Sequence, residues 1–266
     1  MNEQLLENLI KQDIESIFTQ ILIKHNYIFP ISAKSRSGAE ISDYLEDGFV
    51  EYITKNPHER IYNPKGAPKG ATKNPYDFCF NYKHPESGFD DLIWGDIKAT
   101  KFSYADSNPD LGTPEKIIKF IMDGHFYLLF VFLEYEATED NQTKFLAFED
   151  GRYVHCQFLK DIHHSVRINP KPQFQVNIHE PEEYRTRDEF LKLFYTKYKE
   201  SIDRNIAKQE AKKADLDSRF DSMLQRLKTY NDKINHDHWY IKMGVWKNES
   251  FFIRPFAYPY PNSYIT

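Results

Sequence analysis

The 266-residue sequence predicts an α/β fold, a mixed central sheet flanked by helices and continued by a C-terminal helical arm. Three observations point there. Residues 3–24 carry an apolar stripe at the 3.6-residue helical period. Residues 76–99 hold two segments rich in alternating apolar residues, separated by a turn sequence. From about residue 187 the chain becomes strongly charged, with apolar residues at heptad spacing.

The first stripe is Leu5, Leu6, Leu9, Ile10, Ile14, Ile17, Phe18, Ile21 and Leu22. After Phe29-Pro30, Ser35-Arg36-Ser37-Gly38 leads into a second helix over about 38–54, with Ile41, Leu45, Phe49, Tyr52 and Ile53 on its apolar face. Residues 55–75 interleave four prolines and two glycines with Lys65, Lys69 and Lys73, which reads as an irregular basic loop. Strands follow at 76–82 and 92–99, joined through His84-Pro85-Glu86-Ser87-Gly88 as a hairpin. Pro114 suits the first turn of a helix over 114–123. An apolar strand at 126–136 follows, with further strand-like stretches at 143–148, 152–159 and 173–178. Helix, strand, strand, helix, strand is an order that builds a mixed sheet. The charged helix spans about 187–236, and Ile202, Ile206, Leu216, Phe220, Met223, Leu227, Tyr230 and Ile234 fill eight of ten a/d positions. It reads equally as a surface helix packed on the body and as a dimer-building arm. The expected division is an α/β domain over 1–186 and a helical arm with an aromatic tail over 187–266.

Composition narrows the function classes. The formal charge is −5, so bulk charge alone does not carry nucleic-acid binding, although a local basic groove can. Cys79 and Cys156 are too few for a disulfide framework or a zinc cluster, and they fit a reducing cytoplasm. The N-terminus lacks the basic segment of a signal peptide. The longest apolar run, Phe126–Leu133, has the length of a strand, so no membrane span is expected.

The feature that carries chemistry is Asp77 followed by Asp96-Ile97-Lys98. Alternation puts Asp96 and Lys98 on one face of a strand, and Asp77 lies on its hairpin partner. Two carboxylates converging at the end of a sheet suit a hard cation such as Mg²⁺. An adjacent ammonium can hold a water and offset developing negative charge. Leu92-Ile93-Trp94 precede the motif, so a buried strand carries both charges. Glu210-Ala211-Lys212 repeats the pattern by chance on a solvated helix face, and Asp90 and Asp91 fall in the expected turn. His163-His164 and His236-Asp237-His238 read as solvent-facing histidines rather than transition-metal ligands, since the acid-x-Lys site calls for hard oxygen donors.

Over roughly 36–136 this arrangement resembles the core of the PD-(D/E)XK nuclease superfamily. Within it, the size and Asp96-Ile97-Lys98-Ala99-Thr100 resemble a type II restriction endonuclease. The Arg36-Ser37-Gly38 entry to an acidic helix is similar too. Pro75-Tyr76-Asp77 departs from the pattern by one residue between proline and acid. The resemblance implies a restriction-endonuclease-like sheet, Mg²⁺ held by Asp77, Asp96 and the Ile97 carbonyl, and Lys98 as catalytic lysine. It also implies a helix glutamate, Glu40 or Glu46, with Glu40 preferred. The implied activity is hydrolysis of phosphodiester bonds in double-stranded DNA at a specific short sequence, by a cytoplasmic homodimer. Groove and phosphate contacts would come from Lys65, Lys69 and Lys73, from Ser103, Tyr104, Ser107 and Asn108, and from Lys171, Gln173, Gln175 and Asn177. The N-terminal stripe and the 200–236 heptads are the expected dimer surfaces. Other readings are a repair or structure-specific nuclease on the same core, or a non-catalytic DNA-binding or coiled-coil protein. The complete Asp77/Asp96/Lys98 set argues against the last.

Overall fold

Helix α1 (Glu3–Lys24) begins where the Asn2 side chain accepts the Leu5 N–H at 2.9 Å. Its stripe of Leu6, Ile10, Ile14, Ile17, Phe18, Ile21 and Leu22 is buried. The structure, a computed structural model, describes residues 2–32, 37–67, 76–102 and 108–242, apart from the side chains of 37 and 235–242. The stripe expected to meet a second copy is covered by the chain's own second helix and sheet, so α1 is core and not a dimer surface. Burial of each such side chain is worth roughly 1.5–3 kcal/mol, which a single chain collects without a partner.

The remaining elements are β1 (Ile28–Ser32), α2 (Ser37–Lys55), β2 (Ile61–Gly66), β3 (Phe78–His84), β4 (Phe89–Lys101), α3 (Pro114–Met122), β5 (Leu128–Ala137), β6 (Gln142–Leu146), β7 (His155–Phe158), β8 (Arg167–Ile168), β9 (Phe174–Gln175) and α4 (Arg187–Lys242). Seven strands form a mixed sheet in the order β1-β6-β5-β4-β3-β2, with β7 also on β5. The central pair β4–β5 is parallel and its neighbours are antiparallel. This is the mixed α/β sheet with flanking helices that the sequence predicts. Strand β5 reads as an unbroken apolar run because both its faces are covered. Leu129, Val131 and Leu133 join the cluster under α1 and α2, while Leu128, Phe130 and Phe132 face the cluster containing Ile117, Phe120, Phe190 and Phe194.

Several expectations need correction. Residues 61–66, assigned to a basic loop, form β2 and pair with β3. Pro64 is tolerated there because β2 is an edge strand. Asp90 and Asp91 lie in β4 opposite Lys83 and Tyr82, not in the turn, although both are exposed. The 173–178 stretch contributes Phe174–Gln175 as β9, which pairs with β8 in a separate two-stranded sheet and bridges to Asp110, rather than joining the main sheet. The chain divides into Met1–Ile206 and Ala207–Thr266, later than the expected 186/187 boundary. The shift arises because Phe190 and Phe194, at the start of α4, are buried in the first unit's core. In the second unit, the α4 side chains described are exposed. No helix among the described residues is long and apolar enough to cross a membrane.

Candidate active site

Pairing of β3 with β4 ends at Phe78 opposite Gly95. Glycine is required there, since a Cβ would lie 2.1 Å from the Phe78 ring. Beyond that point β4 keeps its parallel neighbour β5 but has lost β3, leaving one edge open. Side chains and the start of α2 close it. The Ile97 N–H donates to Asp77 Oδ2 at 2.8 Å. The Ser42 hydroxyl donates to the Ile97 carbonyl at 3.0 Å. Gly38 sits against the Ala99 carbonyl, which a Cβ would approach to 3.3 Å. Asp77 itself is fixed at both ends of its peptide: its N–H donates to Gly95 O at 2.7 Å and its carbonyl accepts the Ala67 N–H at 2.6 Å.

Three carboxylates and one ammonium gather at this edge. Lys98 Nζ lies 2.9 Å from Asp96 Oδ2. Asp96 is buried, and burial pushes its carboxyl up to about 8; Lys98 opposes the rise, while the Asp77 charge and a hydrogen bond with Asp77 add to it. Burial works to lower the Lys98 ammonium, but Asp96, Asp77 and Asp110 hold it above its ordinary value. Burial and the Asp77 charge push Glu46 up to about 7, against the Ala67 N–H, which favours the carboxylate. Gly66 lets Glu46 approach, because a Cβ there would lie 2.2 Å from Glu46 Oε1.

Glu46, not the preferred Glu40, therefore shares the electrostatic environment of Asp77. Glu40 is exposed in the first turn of α2, whereas Glu46 lies beside Gly66 at the end of β2. Asp110, which the sequence did not single out, is also close enough to influence Lys98; burial raises its own carboxyl, and Lys98 and Lys171 oppose the rise. Asp110 Oδ1 accepts from Asn169 Nδ2 at 3.0 Å, and Gln175 Nε2 donates to the Asn108 carbonyl at 3.1 Å. Of the expected DNA contacts, Asn108, Lys171 and Gln175 are thus brought together beside Asp110. Gln173 and Asn177 serve local turns: the Gln173 N–H donates to Asn169 and Asn177 accepts the His179 N–H. Lys65 is exposed on β2 opposite Cys79. Lys69, Lys73, Ser103, Tyr104 and Ser107 lie outside the described residues, as do the side chains of His236 and His238. His163 and His164 both meet Glu183, at 3.3 and 2.5 Å, and Arg185 holds the same carboxylate.

The donor set fits a divalent cation. Glu46, Asp77, Asp96 and the Ile97 carbonyl are all hard oxygen donors, and one lysine does not balance three carboxylates.

The profile of the SwaI-like family, described as SwaI restriction endonuclease, matches residues 3–216. The chain belongs to this family. It is a type II restriction endonuclease, a site-specific deoxyribonuclease whose substrate is DNA. The SwaI-like match takes in every site residue above and ends within α4. Among solved structures the chain is similar to NlaIV restriction endonuclease, with 11% identity over 69% of this chain and 78% of that one and a TM-score of 0.44. No curated protein matches it.

Proposed function

We propose that this restriction endonuclease is a PD-(D/E)XK enzyme that uses Mg²⁺ to hydrolyse phosphodiester bonds of double-stranded DNA at a specific short sequence, acting as a homodimer. The observation that carries the reading is the stretch of β4 beyond Gly95, where Asp96 and Asp77 act on the Lys98 ammonium and Glu46 stands in the field of Asp77. Asp77, Asp96 and the Ile97 carbonyl would hold the ion, and Glu46 would add a fourth oxygen donor. When bound, Mg²⁺ polarises the phosphate and lowers the pKa of water. Lys98, anchored by Asp96, orients the attacking water and offsets the charge that grows on the phosphate. Ser42 fixes the Ile97 carbonyl, and Asp77 fixes the same peptide from its N–H. Asn108, Lys171 and Gln175 supply polar contacts to the duplex beside Lys98. Two-fold symmetry gives each DNA strand its own site.

Digestion of a plasmid of known sequence, followed by mapping of the ends, tests this directly. Mg²⁺ or Mn²⁺ should give fragments with one common end sequence. Ca²⁺ should support binding with little cleavage, because a larger ion binds carboxylates but activates water less well. Full cleavage in excess EDTA would remove the metal from the account.

A further inference from the structure

The catalytic site leaves one large feature unused, the apolar stripe of α4. Leu216, Phe220, Met223, Leu227, Tyr230 and Ile234 follow strict alternating spacings of four and three residues, and each is between 45% and 65% exposed. Monomeric proteins rarely leave a contiguous apolar strip of this length in water. Leu224, also exposed, widens it. The second compact unit offers no second element among its described residues to cover the strip.

We propose that a second copy of this chain covers it, as a parallel, in-register two-stranded coiled coil over 213–234. Charge decides both the occupant and its direction. With Leu216, Met223 and Tyr230 at d and Phe220, Leu227 and Ile234 at a, the g positions are Lys212, Arg219, Arg226 and Lys233. The e positions are Glu210, Asp217, Leu224 and Asn231. An antiparallel pair sets g against g, placing four cations against four cations. A parallel pair sets g against the e position of the next heptad, so Lys212 meets Asp217 of the partner subunit and no like charges oppose one another. Arg219 folds onto Asp215 at 3.0 Å within one chain, an exposed pair that contributes little and yields readily. Lys213 at a lies where a single polar residue fixes register, its stem covering apolar surface and its ammonium reaching water. The chain's own residues 243–266 are a poorer occupant, because Glu249 is their one acid and Lys247 and Arg254 would meet the basic g positions.

This surface serves the homodimer proposed above and rests on that reading only for the number of copies, not for the chemistry. The test therefore omits DNA and metal. Sedimentation equilibrium of the full chain at micromolar concentration should give twice 31.7 kDa, and the Leu216→Glu/Leu227→Glu variant should give 31.7 kDa. Both positions are exposed in the single chain, so near-UV circular dichroism of the variant should match the parent. Mild oxidation of the single variants Leu216→Cys, Met223→Cys and Tyr230→Cys should produce a covalent dimer in all three, with none in the parent. A monomeric parent overturns the proposal. A dimer that survives the double substitution keeps the homodimer but overturns this surface. Cross-linking at only one of the three positions overturns the parallel direction. A stripe that becomes accessible to a hydrophobic dye only after removal of residues 243–266 assigns it to the chain's own tail instead.

Discussion

Two clusters in the first unit each place an Asp beside a lysine in low-exposure surroundings, and they differ in how completely their charges are answered. Around Lys160, Nζ reaches Glu7 Oε2 at 2.9 Å, Asp161 Oδ1 at 2.9 Å and the Arg185 carbonyl at 2.8 Å, and it lies 4.0 Å from the Tyr184 ring centroid. Asp161 in turn accepts the Arg185 N–H at 2.9 Å, and its carbonyl accepts the Glu183 N–H at 2.8 Å. Two carboxylates share one ammonium there, main-chain groups of Glu183 and Arg185 complete the hydrogen bonds of Lys160 and Asp161, and the lysine side chain is 8% exposed. Lys98 is 22% exposed and has Asp96 alone within ion-pair distance among the described residues, while three carboxylates crowd the same edge. Buried charge therefore does not by itself mark chemistry. The Lys160 cluster ties α1 to the segment before α4; the Lys98 cluster keeps unanswered negative charge and donors for something the chain does not supply.

The sharpest contrast should come from the acids. Asp96→Asn should lower cleavage by roughly 10³-fold or more, as expected when a metal ligand is lost, while urea denaturation shows stability held or raised, since burial already opposes the charged carboxyl. Lys160→Ala should do the reverse. It strands Glu7 and Asp161, and breaking such a buried pair costs about 3–5 kcal/mol in urea denaturation, with little change in turnover per folded molecule.

Glu7 predicts a pH signature for the same cluster. Burial pushes its carboxyl from 4.5 up to about 7; Lys160 opposes the rise, and Asp161 and Glu3 add to it. Its Oε2 sits at ion-pair distance from Lys160 without well-aligned hydrogen-bond geometry. The folded state thus holds the proton more tightly than the unfolded state. Its contribution favours folding at low pH and is lost as pH rises from about 4.5 to about 7, a change on the order of 3 kcal/mol. Glu7→Gln should flatten the stability–pH curve across that window; an unchanged slope would show that Glu7 is not its source. The smallest effects separate two glutamates of α2. Glu46→Gln should slow cleavage about tenfold, as loss of one polar contact in the transition state does, whereas Glu40→Gln should leave the rate unchanged.

Much of this contrast was legible before folding was considered. The 3.6-residue stripes of α1 and α2 and the Pro85–Gly88 turn located the helices and the hairpin, because periodicity reports which face is buried. Asp96 and Lys98 fall on one face of β4 by alternation alone. Strand β2 was missed because Pro64 and Gly66 read as loop residues, when Pro64 lies on an edge and Gly66 makes room for Glu46. Glu46 and Glu40 both belong to an acidic helix, and only the packing of α2 against β2 distinguishes them. Asp110 and Ser42 carry no local pattern; their importance arises from contacts with segments far along the chain. The role of the α1 stripe was misread for a related reason: periodicity shows that a face is buried but not what covers it.

Single-turnover cleavage by Lys98→Ala, with equilibrium unfolding measured on the same protein, tests the central claim most directly. The attacking water and the growing phosphate charge exist only along the reaction path, so loss of Lys98 should reduce the rate by roughly 10²–10³-fold while specific DNA binding and stability stay near the parent's. A variant that cleaves at the parental rate, or one that unfolds as readily as Lys160→Ala, would mean that Lys98 is another structural ion pair and would contradict the account.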